Sequence, residues 1–111
     1  MTAFVDTHCH IQSVGQNIGE SGTRSLWSKA DGLTIEQIIT NAHNANVSKL
    51  ICVGCDLEDS QLAADFAEKH DGCWASIGIH PHEAKDYSDN KEALAEFARL
   101  IDKPKVIAVG E

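Results

Sequence analysis

Apolar residues along this chain gather into short continuous runs that alternate with stripes at helical spacing. Ala3-Phe4-Val5 leads into Asp6-Thr7-His8-Cys9-His10 and reads as the end of a buried strand. Leu50-Ile51-Cys52-Val53-Gly54, Trp74-Ala75-Ser76-Ile77-Gly78-Ile79 and Val106-Ile107-Ala108-Val109-Gly110 are unbroken. Such runs mark strands covered on both faces, as in parallel sheets. Between them, Ile35, Ile38, Ile39 and Ala42 make one helical face, opened by a Thr34/Gln37 capping-box pair. A second stripe, Leu62, Ala63, Phe66 and Ala67, follows Asp56 and Asp59, either of which can cap it. The third helix is expected over roughly Asp89 to Ile101, with Leu94, Phe97, Ala98 and Ile101 inward. His43 and His70 fall late in the first two helices, where a histidine sits at the surface or meets free carbonyls. Four strands alternating with three helices predict an α/β fold with a parallel sheet and right-handed crossovers.

Length and charge narrow this picture. The 111 residues suit one small domain, 1–111, without linker, repeat or low-complexity stretch. The formal net charge is −8 and the nine Lys and Arg residues are scattered. That is not the footprint of a protein gripping duplex DNA through its phosphates. A phosphodiester substrate would need bound cations to supply local positive charge. No run approaches a membrane span, and the N-terminus lacks a signal-peptide pattern, so a cytoplasmic location is expected. The cysteines at 9, 52, 55 and 73 lie in or beside strand-like runs, which favours reduced thiols in that compartment. Cys52 and Cys55 have the spacing of a redox or zinc pair. They sit at a strand end and lack the second pair a structural zinc site needs. Residues 12–33 form a long irregular segment with Gly15, Gly19, Gly22 and Gly32. Its Trp27 suits a lid over a site, or an anchor that pins the loop, and no Gly-Lys-Ser/Thr follows to make a phosphate loop.

Residues capable of chemistry are concentrated at the strand ends. His8 and His10 close the first strand, His80 and His82 flank Pro81 after the third, and Glu111 follows the fourth. In a parallel sheet these C-terminal ends share one edge, where α/β proteins place their ligands. Residues two apart on a strand share a face, so His8 and His10 project together and can hold one metal ion, with Cys9 turned away. Asp6, one step deeper on that face, is placed to orient a histidine. Two imidazoles with a carboxylate suit zinc or manganese. Taken singly, His80 and His82 read as turn residues and Glu111 as a solvated terminus.

Three segments together resemble the TatD-type metal-dependent hydrolases, the deoxyribonuclease family of the amidohydrolase superfamily. They are Val5 to His10, Ile77-Gly78-Ile79-His80-Pro81-His82, and Val106 to Glu111. The resemblance implies a (β/α)8 TIM-type barrel, of which these residues are the N-terminal half. It implies two divalent ions per complete site (Zn, Mn or Mg), with His8 and His10 holding one and Glu111 bridging both. It implies a substrate-lining role for His80. Two more histidines and an aspartate of the family come from later strands, so no catalytic residue is assigned within 1–111. The implied reaction is hydrolysis of a phosphodiester by a metal-activated water, 3'-5' exonuclease-like, on DNA that is single-stranded or accessible at an end. No membrane or protein partner is implied. Residues 13–32 are longer than the family's usual first loop, so the family's loop contacts do not carry over.

Half a barrel would expose two unpaired strand edges and the sheet surface that normally lines the barrel. The chain is therefore expected to be a fragment, inactive alone. The alternatives are a non-catalytic barrel remnant and a phosphoesterase of the polymerase-and-histidinol-phosphatase type, which also opens with His-x-His. The segments at 78–82 and 108–111 fit the latter less well.

Overall fold

The computed structural model describes residues 2–14 and 32–110. Trp27 and Glu111 lie outside the described residues. In chain order the elements are β1 (Phe4–Cys9), α1 (Ile35–Asn44), β2 (Val47–Val53), α2 (Leu57–Lys69), β3 (Cys73–Ile77), α3 (Lys91–Leu100) and β4 (Val106–Val109). Short 3-10 turns cover Ile11–Ser13 and Pro81–Tyr87, straight after the first and third strands.

The sheet runs β1-β2-β3-β4, and every neighbouring pair is parallel. That sequential order is decisive for architecture. Each right-handed crossover advances the sheet in the same direction, so successive helices cover the same face. A doubly wound sheet would reverse direction at a switch point and divide its helices between two faces. Four parallel strands alternating with helices in this order match part of a β/α barrel wall, as the family resemblance implies.

Local signals explain each helix. Thr34 accepts the Gln37 N–H while Gln37 reaches back to the Thr34 N–H, completing the expected capping box of α1. Asp56, and not Asp59, caps α2 by accepting the Asp59 N–H at 2.7 Å. Asn90 caps α3 through the Ala93 N–H. The main core joins Leu50, Cys52, Cys73 and Ala75 of the sheet to Ala63, Phe66 and Ala67 of α2, with Ile35, Ile38, Ile39 and Ala42 of α1 packed against it. A second cluster joins Ile77 to Phe97 and Leu100 of α3. His43 is exposed, and the His70 ring lies 2.9 Å from the Phe66 carbonyl and stacks on Phe66 at 4.0 Å.

Two expectations need correction. In α3 the buried residues are Ala93, Phe97 and Leu100, whereas Leu94 and Ile101 are about half exposed. The helix carries two adjacent apolar stripes, and periodicity alone does not say which one meets the sheet. The apolar runs of β1 and β4 are also not buried: Phe4 is 58% exposed and Val109 71%. Among the described residues both strands are sheet edges, without a neighbour on one side. Among the described residues no helix is long and apolar enough to cross a membrane.

Candidate metal centre

The histidines of β1 owe their placement to an irregularity in that strand. Asp6 lies opposite Leu50 and Cys9 opposite Cys52, so β1 carries an extra residue around Thr7-His8. Bulges of this kind re-aim side chains and recur beside active sites. The Asp6 carboxylate accepts the His8 backbone N–H at 3.0 Å, which braces the bulge. That contact is to the backbone of His8, not the ring contact expected of Asp6. The rings of His8 and His10 meet edge to face with centroids 5.1 Å apart, as predicted for two side chains projecting together. His8 is exposed and His10 half-buried.

His10 Nδ1 lies 2.8 Å from the Val53 carbonyl. A carbonyl only accepts, so Nδ1 carries the proton and the lone pair of the neutral ring is on Nε2. This is the tautomer a metal-ligating histidine needs when its other nitrogen is held by a backbone carbonyl. His80 is arranged the opposite way. The His82 backbone N–H donates to His80 Nδ1 at 3.1 Å, which places the proton of a neutral ring on Nε2. The His80 and His82 rings meet edge to face at 4.7 Å between centroids. One histidine therefore offers a lone pair at Nε2 and the other an N–H donor.

The turn after β2 and the first turn of α2 contribute groups that the sequence reading did not assign to this site. A ligand atom each of His10, Cys55 and Asp59 lie within 4.8 Å of one another. Asp59 is buried and accepts from the Cys55 N–H at 3.0 Å and from the Gln12 side-chain amide at 3.3 Å. The same amide donates to the Val53 carbonyl at 2.9 Å, so Gln12 ties the first and second strand ends together. Its Oε1 is buried without a hydrogen-bond partner. The available signal was position: Cys55 and Asp59 follow a strand end on the same edge as the histidines. Asp59 also reads as a helix cap, and only the fold brings Gln12 to it.

Backbone contacts lock the remaining strand ends. His80 N–H donates to the Cys55 carbonyl at 2.7 Å, which sets the third strand end beside the second. Ser60 Oγ donates to the Gly78 carbonyl and accepts the Gly78 N–H. Gly110 N–H donates to the Ile77 carbonyl at 2.9 Å, bringing the fourth strand end alongside. Gly54 and Gly78 are required by close approach: a Cβ would stand 2.4 Å from Ser60 Oγ at the first and 2.6 Å from the Gly110 carbonyl oxygen at the second.

On the helix side of the sheet, Cys9, Cys52 and Cys73 occupy three adjacent strands. Cys52 does not pair with Cys55. Hydrogen bonds with Cys73 and Cys9, and burial, push its thiol far above the ordinary range. The hydrogen bond with Cys52 holds Cys9 below that range, and Cys73 likewise.

The donor chemistry suits a borderline divalent metal, since one imidazole, a thiol and a carboxylate lie within ligand-sharing distance at a strand-end edge, with a second imidazole ring beside the first. The family model described as TatD related DNase matches residues 5–111. The 3'-5' ssDNA/RNA exonuclease TatD of Cronobacter sakazakii is 37% identical over 76 residues, covering 68% of this chain and 28% of that protein. The exonuclease of the same name from Shigella flexneri is 32% identical over 96 residues, covering 86% of this chain and 34% of that protein. The chain thus aligns with about a third or less of these relatives' length. A family match across nearly all of the chain, on a fold that brings its strand-end histidines together, means that it belongs to the TatD related DNase family.

Proposed function

We propose that this chain provides the first strands of a metal-dependent nuclease centre that hydrolyses phosphodiester bonds in single-stranded or end-accessible nucleic acid. The observation that carries the reading is the paired arrangement of His8 and His10, with His10 Nδ1 committed to the Val53 carbonyl. His8, His10 and Glu111 are the residues that would hold divalent cations, two per complete site, with zinc, manganese and magnesium as the metals to try. Bound cations would activate water and stabilise charge on the phosphoryl and leaving oxygens.

The chain's own groups have separable tasks. His10 is oriented by a backbone carbonyl, so its ring does not swing with side-chain fluctuation. His80 presents an N–H, which suits it to donate to a phosphate oxygen of the substrate. The Asp59–Gln12–Cys55 network fixes the loop against which His10 packs. The relatives' name, 3'-5' ssDNA/RNA exonuclease, supports a nucleic-acid substrate attacked from an end. The net charge of −8 accords with cations, not basic side chains, meeting the phosphates. A cytoplasmic setting goes with this reading, since there the four free cysteines stay reduced.

Calorimetric titration with zinc and manganese tests the reading. The chain is expected to bind, and a His8→Ala/His10→Ala variant to lose that binding. Equal binding by the two would remove the first-strand histidines from the metal site.

A further inference from the structure

We propose that Cys9 and Cys52 form a reversible disulfide that acts as an oxidative off-switch for the His8/His10 metal pair. The consequence for metal rests on the function proposed above; the disulfide itself does not.

Position is the first argument. Cys9 and Cys52 are register partners on adjacent parallel strands, and both pack in the core cluster on the helix side of the sheet. Neighbouring strands lie about 4.8 Å apart, within the ~4.4–6.8 Å separation between Cα atoms that a disulfide spans. Cys73 packs in the same cluster, but its register partner is Leu50, two residues before Cys52. That diagonal puts its Cα about 8 Å from that of Cys52, too far for a bridge without backbone movement. Geometry therefore selects one pair from three thiols.

Access is the second argument. Cys52 and Cys73 are 0% and 1% exposed, whereas Cys9 is half-buried. A small peroxide reaches Cys9 first. The Cys9 sulfur attacks the peroxide O–O bond, giving a sulfenic acid and one water from hydrogen peroxide. The Cys52 sulfur then attacks the Cys9 sulfur, forming the S–S bond and expelling the hydroxyl group with the thiol proton as a second water. Two thiols lose two electrons in total, and one peroxide gains them.

Coupling to the site follows from the chain. Cys9 lies between His8 and His10, beside the bulge that aims them. Forming the S–S bond turns the Cys9 side chain onto Cys52 and re-sets the bulged segment that aims both histidines.

The test treats the reduced full chain with hydrogen peroxide, blocks remaining thiols with N-ethylmaleimide, and maps disulfides by peptide mass spectrometry. A Cys9–Cys52 linked peptide, cleaved by dithiothreitol, is expected in the native sequence and in Cys73→Ala, and not in Cys52→Ala. Histidine C2–H resonances of His8 and His10 are expected to shift on oxidation and return on reduction. Zinc affinity is expected to fall about tenfold and recover, the scale seen when groups that orient metal ligands are disturbed. Four alkylated cysteines after peroxide, or a bridge through Cys73 or Cys55, would overturn the disulfide. A Cys9–Cys52 bridge that leaves both histidine resonances in place would overturn the switch. Failure of the reduced chain to bind zinc would count against the metal centre alone, because the linked peptide and the histidine resonances are read without metal.

Discussion

Gly54 shows how much can depend on a missing methyl group. It sits where β2 turns toward α2, with Ser60 packed directly against it. Ser60 in turn bridges to both backbone groups of Gly78. A Gly54→Ala side chain would overlap backbone atoms of Ser60, which cannot rotate away, as well as its hydroxyl. The expected cost is about 1–3 kcal/mol, the range for overpacking a tight core, measurable by chemical denaturation. Because Ser60 holds the third strand end, the same variant should weaken zinc binding beyond its effect on stability. His10 and His80 make a second point at this scale. They are the same residue type at comparable strand ends, and a single backbone contact gives each a different tautomer. Sequence marks both as candidates, but only the neighbour of Nδ1 distinguishes a lone-pair donor from a proton donor.

Among the elements, α3 offers the sharpest test of packing. Its apolar positions support either of two faces, and the structure turns Ala93, Phe97 and Leu100 to the sheet. Phe97→Ala should cost about 3 kcal/mol, as for an aromatic removed from a core. Leu94→Ala, on the exposed stripe, should stay within about 0.5 kcal/mol. Comparable losses at the two positions would mean that both stripes are covered. The start of α1 was fully legible, that of α2 was narrowed to Asp56 or Asp59, and Asn90 of α3 was not singled out. Thr34, Asp56 and Asn90 all cap as short polar side chains do, because capping is a local hydrogen bond that needs no tertiary partner.

At the level of the whole molecule, the sheet formed by the described residues ends in two open edges, β1 and β4, with Phe4, Val5, Ile107 and Val109 all about half exposed or more. Open edges with apolar side chains favour pairing with other chains. A preparation consisting of residues 1–111 alone should self-associate with rising concentration in sedimentation experiments. A Val109→Lys variant should shift that equilibrium toward monomer, because an edge lysine resists strand pairing. A monomer at all concentrations would show that these edges are protected.

Sequence alone carried the alternation of strands and helices, the Thr34/Gln37 capping box, the parallel sheet and the edge on which the candidate chemistry collects. Those features depend on near neighbours: a period of two or 3.6 residues, a side chain bonding three positions on, an unbroken apolar run. Topology also sends His8, His10 and His80 to one edge as candidates, while the roles proposed for them came from the family resemblance. Only the tertiary structure decided the rest. The bulge at Thr7-His8 depends on register against β2, the face of α3 on which stripe meets β3 and β4, and the exposure of β1 and β4 on their standing at the sheet's edges. The meeting of Gln12 with Asp59 and of Cys9 with Cys52 joins residues more than forty positions apart. No local pattern encodes such contacts, because they arise only when separate strands are laid side by side.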